Sequence, residues 1–99
     1  MSKVGLLVRI DARPEHAEEV QGLLRDALQL AREEAGTVTW FAFQEGPTTF
    51  GVFDTFEDEE GRGSHLQGRI AAALMEIAPT MLATAPDIRQ VDILAAKLP

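Results

Sequence analysis

The sequence predicts an α+β domain from three features: strands that are apolar on both faces, a long amphipathic helix after the first strand, and a glycine-interrupted helix before the last. In the first strand, Val4 to Asp11, the residues Val4, Leu6, Val8 and Ile10 point one way and Leu7 the other. In the second, Thr37 to Glu45, Val38, Trp40 and Ala42 alternate with Phe41 and Phe43. In the third, Thr49 to Phe56, Phe50 and Val52 oppose Phe53. A sheet that is apolar on both faces needs cover on both, from helices or from another sheet.

Pro14 is suited to the first position of a helix, and Glu15, Glu18 and Glu19 suit its positive end. Ala17, Val20, Leu24, Ala27, Leu28 and Ala31 then recur at helical spacing, and Gly36 is expected to cap the C-terminus. Gly46-Pro47 marks a hairpin turn between strands two and three, with the glycine expected in an unusual backbone conformation. The segment Thr55-Phe56-Glu57-Asp58 reads as a helix start. Gly61, Gly63 and Gly68 make the first turns of that helix irregular, or bring it close against another backbone. Leu66, Ile70, Ala73, Leu74 and Ile77 restore an apolar face. Pro79 is expected to open a short separate turn, Pro86 to close it, and Ile88 to Lys97 to form the last strand.

This order, β-α-β-β-α-β, is the ferredoxin-like one: a four-stranded antiparallel sheet with both helices on one face, in a single domain over residues 1–99. The second face is left uncovered. A second copy of the chain, sheet against sheet, covers it most simply, so the expected assembly is a homodimer through the sheet face, a dimeric α+β barrel.

Composition narrows the function. A net charge of −7 without a basic cluster argues against nucleic acid and acidic membranes as partners. No apolar run is long enough to span a bilayer, and Met1-Ser2-Lys3 leads straight into a strand without signal-peptide features, so a cytoplasmic location is expected. With no cysteine, thiolate catalysis and disulfides are excluded. There is no phosphate-binding glycine loop and no nucleophile elbow, and His16 and His65 do not make a metal-ligand pattern; no metal or other cofactor is expected.

His65 borders the apolar face of the second helix, on the stripe of Arg62 and Arg69. Two readings stand: a general base or hydrogen-bond donor between helices and sheet, or a partly exposed surface histidine. All six aromatic residues, one Trp and five Phe, fall in the hairpin between Trp40 and Phe56. They can line a pocket for a flat ligand or simply pack the core, and because faces alternate Trp40 and Phe41 cannot both line one cavity. Asp54, among apolar neighbours, needs a partner, with Arg9 or an arginine of the second helix as candidates.

Asp54, Phe56 two places on and His65 nine further carry a resemblance to the antibiotic biosynthesis monooxygenase family of small dimeric α+β barrel proteins, and the resemblance extends over essentially the whole chain. Phe56 stands where that family usually has tryptophan, and Asp54 where glutamate is usual. The related haem-degrading branch uses an asparagine, a tryptophan and a histidine where this chain has Leu7, His65 and Met75, so haem degradation is not expected.

The resemblance implies oxygenation of a small electron-rich aromatic or quinol without metal or flavin. In that scheme His65 removes a phenolic proton, Trp40, Phe53 and Phe56 hold the ring, and an arginine of the second helix or the first strand, with Arg69 as the candidate, stabilises the anion. The alternative is a non-catalytic dimeric module that binds a small ligand or serves a stress response; a third reading is a purely structural dimer. The readings part on whether His65 lines an open cavity and whether an arginine reaches it.

Overall fold

The computed structural model describes residues 3–99; Met1 and Ser2, where the leader argument begins, lie outside the described residues. The strands β1 (Val4–Asp11), β2 (Thr37–Gln44), β3 (Thr49–Phe56) and β4 (Asp87–Asp92) form one antiparallel sheet in the order β2-β3-β1-β4. Three helices, α1 (Ala17–Glu33), α2 (Glu59–Leu66) and α3 (Arg69–Met81), complete the ferredoxin-like α+β arrangement. No helix among the described residues is long and apolar enough to cross a membrane.

The register sorts the side chains by face. Leu6 pairs with Asp54, Val8 with Val52 and Ile10 with Phe50, while Trp40 lies opposite Asp54. This face carries the core: Leu6, Ile10, Phe50, Val52 and Phe56 are buried, joined by Val20 of α1 and by Leu82. Burying each such side chain contributes about 1.5–3 kcal/mol relative to exposure. On the opposite face Leu7 pairs with Phe53 and Phe53 with Phe41, and Leu7 and Phe41 remain 40% and 56% exposed. The uncovered apolar face expected from the alternation is therefore present.

Pro14 does open a helical segment, as a single 3-10 turn (Pro14–His16) that leads into α1. The Arg13 side chain donates to the carbonyls of Leu82 and Pro79, tying this turn to the end of α3. The chain leaves α1 through an extended Glu34, so Gly36 is not the expected left-handed cap. No described glycine has positive φ, Gly46 included. The need at Gly36 is spatial: a Cβ there would lie 3.2 Å from the Gly61 Cα, and one on Gly61 would lie 3.0 Å from the Gly36 carbonyl oxygen. Two backbones meet at this point, which is the close approach expected of the α2 glycines.

The Asp58 carboxylate caps α2 by accepting from the Gly61 amide. The irregularity expected near the glycines is a full break: α2 ends at Leu66 and α3 starts after Gly68. Pro79 does not open a separate turn, because it sits in the last turn of α3. Its missing amide leaves the carbonyl of Met75 without a helical donor, on a residue that is 56% exposed, while the Pro79 carbonyl, one of the unpaired ones of the last turn, is taken by Arg13. β4 ends at Asp92 rather than at Lys97: Asp92 pairs with Val4, the first residue of β1, and one further bond, from the Ile93 amide to the Lys3 carbonyl, follows it.

Candidate functional site

An open cavity of about 430 Å³ lies between the sheet and the helices. Its floor comes from Leu6, Val8 and Val52, and its walls from α1 and α3, including Leu24 and Leu74. Leu66 and Met75 line this space and leave it open. His65 reaches it from the last turn of α2. A smaller hollow, about 260 Å³, opens on the other sheet face beside Phe43 and Gly51 and contains no histidine.

His65 is 7% exposed and bridges two carboxylates. Its Nδ1 lies 2.6 Å from Oε1 of Glu34, and its Nε2 lies 2.9 Å from Oδ2 of Asp54. The Thr37 hydroxyl also donates to Oε1 of Glu34, at 2.9 Å. The Phe56 ring packs against the imidazole with centroids 5.3 Å apart. The Asp54 contact is ionic rather than a well-directed hydrogen bond, and neither Oδ1 of Asp54 nor Nε1 of Trp40 has a partner among the described residues. Burial pushes the His65 pKa down, but Asp54 and then Glu34 outweigh it and hold the ring above its ordinary 6.5. The two carboxylates thus favour the protonated form of the ring, one beside each nitrogen.

The surface-histidine reading of His65 is therefore replaced by a buried one. The partner of Asp54 is His65 rather than an arginine. Phe56 faces the helices and touches His65, and Trp40 lies half-buried on the same sheet face. Phe53 lies on the opposite face, because strand alternation separates it from Phe56, so it does not line the cavity. Arg69 projects outward and pairs with Glu33 at 2.7 Å, so it does not reach His65. Arg62, on the stripe of His65, is buried; it binds Glu59 and donates to the carbonyls of Gly5 and Val91. The group that can carry positive charge between the two carboxylates is the histidine itself. Glu34 does not stand out in the sequence, although a carboxylate at a helix C-terminus, where the dipole favours cations, signals a cationic partner from elsewhere in the chain.

No family model and no curated protein matches the chain. Solved structures do. A protein of unknown function from Nitrosomonas europaea is 52% identical, with a TM-score of 0.97, over 100% of this chain and 96% of that one. A Pseudomonas aeruginosa protein is 23% identical, with a TM-score of 0.82 over 96% and 97% of the two chains. A second Nitrosomonas europaea protein, named a "putative antibiotic biosynthesis monooxygenase", is 13% identical with a TM-score of 0.83 over 93% and 99%. This chain belongs to the family of the first protein and has the antibiotic biosynthesis monooxygenase-like fold. In this monooxygenase-like fold the described α2 carries the bridging histidine, and the sheet supplies the buried carboxylate.

Proposed function

We propose that the chain is a cofactor-independent monooxygenase or quinol oxidase acting on a small electron-rich aromatic or quinol held in the cavity. The supporting observation is an open apolar cavity in which one ionisable ring, His65, is held between two carboxylates. The name of the 13% identical Nitrosomonas protein points to the same chemistry.

His65 is the ring that can take up a proton at the cavity, and the carboxylates of Asp54 and Glu34 beside its two nitrogens favour its protonated form. A phenol or quinol entering the apolar cavity gives its proton to His65 and remains as an anion beside the imidazolium so formed. The anion then reduces dioxygen itself. For a quinol, two electrons and two protons pass to dioxygen, giving quinone and hydrogen peroxide. For a hydroxyaromatic with an activated methylene, the CH2 becomes C=O and the second oxygen atom leaves as water, all four electrons coming from the substrate. The protein excludes water, orients the ring and holds the proton, and positioned proton transfer of this kind contributes about 10²- to 10⁴-fold.

The reading includes a homodimer formed through the open sheet face, where Leu7, Phe41 and Phe53 form a contiguous apolar strip, and it places the protein in the cytoplasm. The test is oxygen uptake with a panel of quinols and polyphenols, comparing the wild type with His65→Ala. Uptake above the uncatalysed rate that collapses in the variant is expected. Equal or absent uptake removes catalysis and leaves the binding module.

A further inference from the structure

The ionisable groups that line the cavity are of one kind apart from His65. Asp26 of α1 and Glu76 of α3 stand on facing helices among its lining residues, both exposed to solvent. No lysine or arginine lines it among the described residues. The nearby guanidinium groups are committed elsewhere, Arg62 to Glu59 and two backbone carbonyls and Arg69 to Glu33. Deeper in, His65 is already shared between Glu34 and Asp54, so any positive charge on it is met locally by two carboxylates.

We infer that the cavity selects its ligand by charge: it admits an apolar body whose polar end is uncharged or cationic, and refuses carboxylates and phosphates. The inference rests on the cavity being a ligand site, as proposed above. An anion would lose hydration on entering an apolar space and would pass two carboxylates without meeting a free cation. A cation of the same size also loses hydration but is attracted by the same carboxylates. A comparison of the two therefore isolates the charge of the site from the cost of desolvation. Within the proposed chemistry, the substrate arrives as the neutral phenol or quinol and becomes an anion only after its proton has moved to the Asp54–His65–Glu34 cluster.

The test is calorimetric titration, without dioxygen, of the wild type and of the double variant Asp26→Asn/Glu76→Gln. The probes are three compounds sharing one body: 2-naphthylmethylammonium, 2-naphthol and 2-naphthoate. The ammonium compound is expected to bind about tenfold more tightly than the carboxylate at low salt, with 2-naphthol also ahead of the carboxylate and the gap narrowing as salt rises. In the double variant the ammonium-to-carboxylate ratio should fall towards one. Because both substituted residues are exposed, the variant is expected to keep the wild-type melting temperature. A carboxylate that binds as well as the ammonium compound, or a ratio unchanged in the variant, overturns the charge selection alone. Failure of all three compounds to bind overturns the ligand site itself.

Discussion

Nε2 of His65 lies 2.9 Å from Oδ2 of Asp54, a residue with no exposed surface at the centre of the sheet. A carboxylate so buried is tolerable only with a cation beside it, so the two residues are one unit in folding as well as in chemistry. Asp54→Asn and His65→Gln should each destabilise the protein by about 3–5 kcal/mol, since each leaves a buried partner unmatched. The double variant should lose less than the sum of the two, which chemical denaturation of all four proteins would show.

The same unit gives stability a pH dependence of defined sign. The folded-state pKa of His65 is raised above its ordinary 6.5, so its stabilising contribution is complete below that value and is lost as pH rises through the folded-state pKa. The wild-type melting temperature should therefore fall as pH rises above about 6.5, and this alkaline decline should be absent in His65→Gln. Imidazole ¹⁵N shifts followed against pH should place the His65 midpoint above 6.5. A midpoint at or below 6.5 would contradict the assignment.

On the open face, a Cβ built on Gly51 would lie only 2.3 Å from Cζ of Phe43, so the ring rests on bare backbone. Gly51→Ala must displace that ring and should cost about 1–3 kcal/mol. The same substitution in a Phe43→Ala background should cost much less, as thermal melts of the four proteins would reveal.

The proposed pairing through this face makes a separate demand. Phe41, 56% exposed at the centre of edge strand β2, is where a like charge on each copy would be most disruptive. Sedimentation should give a dimer for the wild type and a monomer for Phe41→Glu, with the secondary structure of the variant unchanged. A wild type that sediments as a monomer at micromolar concentration would remove the pairing.

Much of the fold was legible because period-two and helical patterns are local. The alternation of Leu6, Val8 and Ile10 against Leu7 set the two faces of β1, and Thr49 to Phe56 is the third strand to the residue. The errors came where a partner elsewhere decides the outcome. β4 is shorter than its apolar pattern because β1 runs out at Val4, and Pro79 stays in α3 where Arg13, distant in sequence, takes its carbonyl. At the site, His65 was legible only through the family resemblance that its spacing to Asp54 and Phe56 carries; its position on the helix left a surface role open. Glu34 was not, since 31 residues separate it from His65 and only the packed chain brings them together. Arg69 misled because a stripe on a helix does not say which of its members turn inward; Arg62 does and Arg69 does not.

The meeting of Gly36 and Gly61 also sets how this chain can vary in length. Glu34 and Gly36 belong to one short connection, and the first holds His65 while the second seats the helix that carries it. A single residue inserted between them would move one anchor relative to the other and could not satisfy both. The turn between β2 and β3 bears no such double duty, so length changes among relatives that keep the histidine cluster should collect there and spare the corner between α1 and β2.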